Sequence, residues 1–167
     1  LYYRKHANIL AACFGVCDTV RARTILHRVM TDETLGDCQP YFMHFLLEAI
    51  YRSGLRDTYT LPLMECWKQA AAICPKGLEE GFVCPENYSF DLSHAWGGTP
   101  LYAIPRALLG FEMIEPGFKK IRLTPSLLGL PSAMVEMLTP YGKIVCWQEV
   151  GKAPKMDVPD RIVMDNR

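Results

Sequence analysis

Carboxylates and aromatic rings crowd into one stretch of this chain. Glu79, Glu80, Glu86 and Asp91 lie in the segment 74–91, CPKGLEEGFVCPENYSFD, together with Phe82, Tyr88 and Phe90. A carboxyl group set among such rings can give or take a proton at a glycosidic oxygen or a water, and flat rings can carry the face of a sugar. Directly downstream comes SHAWGGTPLYAIPRALLGF, residues 93–111, which places His94, Trp96 and a Gly97-Gly98 pair ahead of a helix that stops at Gly110. An imidazole and an indole beside glycines suit a carbohydrate-facing surface. Each feature also has a plainer account. The acidic stretch reads as a solvated surface loop, and His94 with Trp96 as the cap and packing of a helix N-terminus.

Other chemistries find little footing. Seven cysteines, at 13, 17, 38, 66, 74, 84 and 146, form no Cys-x-x-Cys pair. Cys13 and Cys17 would share a helix face, but their neighbours are apolar and no matching histidine pair follows, so buried free thiols in a reducing, cytoplasmic-type compartment are expected. No Gly-rich phosphate loop, His-Glu-x-x-His or Gly-x-Ser-x-Gly motif occurs, and neither a cofactor nor a metal is implied. Eighteen basic residues balance eighteen acidic ones, which gives no electrostatic case for nucleic acid or an anionic membrane. No apolar run approaches the roughly 20 residues that a bilayer-spanning helix needs.

Up to Gly110 the periodicity is helical. A first helix is expected over Tyr3–Cys17, with Ala7, Leu10, Ala11, Phe14 and Cys17 on one face. Asp18 or Thr19 should cap a second over Val20–Met30, which turns Val20, Ile25, Leu26 and Val29 inward and Arg21, Arg23 and Arg28 to solvent. After a polar loop, Pro40 opens a third helix, Tyr41–Arg52, ended by Ser53-Gly54. A fourth, Leu55–Ala72, contains Pro62, a candidate interruption. Helices one and three are apolar on nearly all sides, as inner-layer helices would be; helix two is amphipathic. Paired helices with short polar connections suit a bundle, a helical repeat or an α/α barrel.

Beyond Pro116 the period changes to two. Phe118–Thr124, Ala133–Leu138 and Lys143–Glu149 read as strands, with Met156–Val158 and Ile162–Met164 as short additions and prolines and glycines between them. Helices are therefore expected over roughly 3–110 and antiparallel strands over roughly 117–165, with the break near Glu112–Pro116.

The order of these blocks resembles the C-terminal part of bacterial α-L-rhamnosidases and related six-hairpin glycosidases. SHAWGGTPLYAIPRALLGF is similar to the family's last barrel helix, which opens on Ser-His-x-Trp and ends Leu-Gly. EPGFKKIRLTPSLLGLPSAMVEMLTPYGKIVCWQ is similar to its C-terminal β-sandwich, and HANILAACFGVCD and QPYFMHFLLEAIYRSG to barrel helices. The resemblance implies an α+β chain in two domains: residues 1–112, helical hairpins from a partial (α/α)6 barrel, and 113–167, a small antiparallel β-sandwich. It also implies an inverting glycosidase, in which one carboxylic acid protonates the leaving oxygen and a second carboxylate activates water.

By the same resemblance the base is a glutamate in the loop before Ser-His-x-Trp. Glu79 is the matching residue and Glu80 the fallback, although Leu78 stands where relatives carry Trp. His94 and Trp96 match positions that line the sugar pocket, while the acid lies in the first half of the barrel, outside this sequence. A complete barrel has more helices than this chain supplies, and LYYRKHANIL reads like the interior of a longer polypeptide. The expected partners are thus a carbohydrate substrate and the N-terminal remainder of the same polypeptide. Alone, the chain is expected to be inactive and to self-associate. A non-catalytic carbohydrate-binding module and a helical-repeat interaction domain are the alternative readings.

Overall fold

The computed structural model describes residues 4–73, 77, 80–82 and 94–166. The chain is α+β: among the described residues five α-helices come first, followed by two three-stranded sheets. Backbone packing groups it into two compact units, Leu1–Ala103 and Ile104–Arg167. That division falls inside the fifth helix, ahead of the break near Glu112–Pro116 expected from the change of period.

In the first unit, α1 spans Lys5–Cys13, α2 Thr19–Thr31, α3 Met43–Arg52 and α4 Arg56–Ile73. α1 packs on both α2 and α3, and α3 on α4. The start of α2 has a clear cause, because the Asp18 side chain accepts a hydrogen bond from the Arg21 amide at 2.8 Å. That bond satisfies one of the donors every helix N-terminus leaves open. Leu26 and Val29 are buried as expected; Val20 is not, and Ala22 takes its place in the core.

The inner face of α1 differs from the expected one. Ile9, Ala12 and Cys13 are buried, while Ala7 and Phe14 face solvent. The helix stops at Cys13, so Phe14 and Cys17 fall outside its periodicity. Because small alanines permit two apolar stripes here, the choice falls to the partners, α2 and α3.

Arg23 is exposed, as expected of α2's outer side, yet its Nε donates to the carbonyl of Ser53 at 2.7 Å. This bond ties α2 to the end of α3. It also accounts for Gly54: with φ of +69° the position favours glycine, and a Cβ there would come within 3.0 Å of the Arg23 guanidinium. Pro62 does not interrupt α4, which runs through it. Proline removes one backbone donor, and packing of Leu63 and Trp67 into the core compensates.

A turn of 3₁₀ helix, Ala95–Gly98, leads into α5, Thr99–Leu109, and Gly110 at φ of +58° ends it in the left-handed conformation. The second unit then holds β1 (Glu112–Glu115), β2 (Lys120–Arg122), β3 (Ser132–Thr139), β4 (Gly142–Glu149), β5 (Lys155–Asp157) and β6 (Val163–Met164). One sheet has the order β3-β4-β5 and is antiparallel throughout, with Val135 opposite Cys146 and Cys146 opposite Met156.

The other sheet departs from expectation in two ways. β1 occupies the stretch read as a break, and β6 joins β2 in parallel, Lys120 opposite Val163 and Ile121 opposite Met164. Between β1 and β2, Pro116–Phe118 form a turn with Gly117 and Phe118 both at positive φ, so the expected strand over 118–124 shrinks to three residues. Ile121, Ile144 and Cys146 are fully enclosed, and the buried Gln148 donates from Nε2 to the Leu108 carbonyl at 3.1 Å, which fixes β4 to the end of α5.

Candidate functional site

The segment His94–Gly98 is set in place from beneath by α4. Trp67, buried in the core, donates from Nε1 to the Gly97 carbonyl at 2.9 Å, and Gly97 is itself buried. Phe82 stands edge-on to the Trp67 ring, with centroids 4.9 Å apart. One core indole therefore contacts both the Gly97 turn and Phe82, in the middle of the acidic segment. Glu80 is two residues before Phe82, so its Cα lies within roughly 7 Å of the Phe82 Cα. Glu79, together with Glu86, Asp91, Tyr88 and Phe90, lies outside the described residues.

Above this anchor His94 and Trp96 form a small aromatic surface. His94 Nδ1 accepts from the Trp96 amide at 3.3 Å, which caps the 3₁₀ turn, and the two rings meet edge-on with centroids at 4.7 Å. With Nδ1 engaged as acceptor, the neutral imidazole carries its proton on Nε2, which is left to donate outward. The capping role and the presentation of a donor are thus compatible.

Trp96 remains 54% exposed and Tyr41 39%, with their ring centroids 4.6 Å apart. Tyr41 was missed in the sequence because it sits fifty-odd residues upstream, in the turn before α3, where it reads as one more apolar helix residue. Behind it a chain of rings runs from Phe42 to His6, 4.3 Å apart, and from Phe42 to Phe45 at 5.2 Å, so the platform rests on the core. Burial, followed by the nearby Arg4 charge, lowers the His6 pKa.

A second polar group also escaped sequence reasoning. Glu48, in the middle of α3, is nearly enclosed. Its carboxylate accepts from the Tyr102 hydroxyl at 3.0 Å and faces Arg52 Nε at 3.6 Å. Arg52 further donates to the Cys13 carbonyl at 3.2 Å. With His44 and Phe14 these residues line a cavity of about 310 Å³. The i,i+4 spacing of Glu48 and Arg52 was the available signal. Among the described residues, no group of three or more potential ligands could hold a metal ion.

Chemically, the first cluster offers a half-exposed indole and phenol for C–H faces, and an imidazole N–H as a fixed donor. Such a mix of apolar wall and few directional polar groups is what a small polar ligand requires. The sequence matches no family model and no curated protein. Among solved structures the chain is similar to a GH78 family rhamnosidase of Bacillus sp. GL1, with a TM-score of 0.78 at 18% sequence identity. The similarity covers 98% of this chain and 19% of that one, so the chain spans about a fifth of the length of that enzyme and shares its fold over that span.

Proposed function

We propose that this chain is the C-terminal portion of a glycoside hydrolase of the inverting α-L-rhamnosidase type, and that its aromatic platform forms one wall of the sugar site. The observation that carries the reading is the pairing of the rhamnosidase-like fold with a half-exposed Trp96–Tyr41 surface and a His94 donor, beside a Gly97 turn held by buried Trp67. In this reading Glu79, or failing it Glu80, takes a proton from water as the water oxygen bonds to the anomeric carbon. The glycosidic C–O bond breaks in the same step, and its oxygen receives a proton from a carboxylic acid on the N-terminal remainder of the polypeptide. His94 and Trp96 hold the sugar ring against that attack.

The fragment character has support of its own. Phe14, Val16, Val20 and Leu101 are all strongly exposed apolar side chains of the first unit. Surface of this kind usually has a partner, here the missing helices or, without them, a second copy of the chain.

The test is to assay an aryl α-L-rhamnoside with the polypeptide extended to a full barrel, carrying Glu79→Gln or Glu80→Gln. Turnover should fall by about a hundredfold in the variant that removes the base, the sugar should leave with inverted anomeric configuration, and the 167-residue chain alone should be inert. Full activity in both variants, or a retained configuration, would overturn the assignment.

A further inference from the structure

The second unit carries an aromatic groove that the rhamnosidase reading does not use. Trp147 lies on β4, the central strand of the β3-β4-β5 sheet, and is 45% exposed. In register with it stand Met134 on β3 and Lys155 on β5, so all three side chains project from the same face in one row across the sheet. Met134 is 59% exposed, and Lys155 is exposed as well. A central strand fixes the indole on both sides, whereas a loop would leave it free to turn.

These residues line a shallow groove of about 740 Å³, together with Ser132, Glu149 and Lys152. That is within the range of small-ligand sites, roughly 300–1,000 Å³. Its charges decide what it suits. Lys152 is paired with Glu149 at 2.8 Å, and Lys155 has no acidic partner among the described residues. The groove therefore combines a flat apolar platform with one uncompensated ammonium beside it.

We propose that this face binds an acidic sugar, a pyranose bearing a carboxylate, with its C–H face on Trp147 and its carboxylate on Lys155. A neutral sugar would use the indole and leave the ammonium idle; a purely hydrophobic partner would bury Lys155 unpaired, at a cost. Complementary charge at an exposed site gives modest, salt-sensitive affinity.

The experiment is a calorimetric titration of the 167-residue chain with trigalacturonate and, in parallel, with its neutral methyl ester. Trigalacturonate should bind with Kd of order millimolar and the ester at least about fivefold more weakly, the scale of one exposed charge pair. Trp147→Ala should abolish binding, Lys155→Gln should reduce it to the level of the ester, and raising the salt should erase the difference. Trp96→Ala should leave it unchanged, which separates this site from the platform of the first unit. Lys155 is exposed on an edge strand, so its variant keeps the fold even if Trp147→Ala does not. Equal affinity for acid and ester, loss of binding in Trp96→Ala, or no heat with trigalacturonate up to about 20 mM would each overturn the proposal.

Discussion

Replacing Trp67 by Phe would test how the candidate sugar site is held. The substitution keeps a ring for Phe82 to meet edge-on, but removes the Nε1–H that the buried Gly97 carbonyl accepts. Leaving a buried acceptor unpaired costs about 1–3 kcal/mol. The smaller ring also gives up roughly 40 Å² of buried apolar surface, worth about 1 kcal/mol. Together they predict a loss of about 2–4 kcal/mol, or a urea midpoint lower by about 1–2 M for a unit of this size.

Helical circular dichroism is the appropriate probe, because most of α1–α5 belongs to the first unit. Trp96 fluorescence, read in a Trp147→Phe background because Trp147 is also half-exposed, gives a second reading: freed from the Gly97 anchor, its indole should become more accessible to acrylamide. A midpoint shift below about 0.3 M, with quenching of Trp96 unchanged, would refute the view that Trp67 holds this turn.

Two further outcomes follow from the titrating groups. Hydrogen bonds from Arg122, then from Lys120, hold the Asp165 carboxyl below the usual carboxylate range. A depressed carboxyl stabilises the fold above its unfolded value of roughly 3.9, and that contribution is lost as pH falls through the folded value. Protection factors of the amides in β2 and β6, which correct for the intrinsic pH dependence of exchange, should therefore fall below about pH 4, and Asp165→Asn should remove that fall; an unchanged profile in that variant contradicts the assignment. Burial pushes the Cys38 thiol up to about 11 and also raises Cys13 and Cys146. At pH 8 iodoacetamide should reach the half-buried Cys17 well before these three, as peptide mass spectrometry would report; early labelling of Cys38 would speak against its enclosure.

Local signals in the sequence were reliable where a single residue sets the structure. Asp18 starts α2 through a bond to a residue three positions on, Gly110 ends α5 through its φ, and the hairpin of β3 and β4 follows from alternation over Ala133–Leu138 and β-forming residues over Lys143–Glu149. Signals failed where a distant partner decides. The inward face of α1 depends on α2 and α3, and the place of Tyr41 on the platform depends on Trp96, far along the chain. β1 reads Glu-Met-Ile-Glu and is exposed along its length, so it shows no buried alternation to detect. In the candidate cluster, His94 and Trp96 stood out by residue type, whereas Trp67, bonded to Gly97, carried no signal of its own. Glu48 was hidden because its partner, Tyr102, is fifty-four residues away.

The parallel pairing of β2 with β6 has a kinetic consequence. β3 finds β4 across a tight turn, but Arg122 must wait for Asp165, forty-three residues later. Closing a loop of that length costs about 2 kcal/mol more entropy than closing a four-residue turn. Topologies rich in such distant contacts fold slowly, since the entropy is spent before the contact repays it. The β3–β4 hairpin should therefore form early and serve as a template, with β6 docking last. Until it docks, β2 presents an open edge, Lys120 and Arg122 lack their shared carboxylate, and the nascent chain is exposed to mispairing with its own kind.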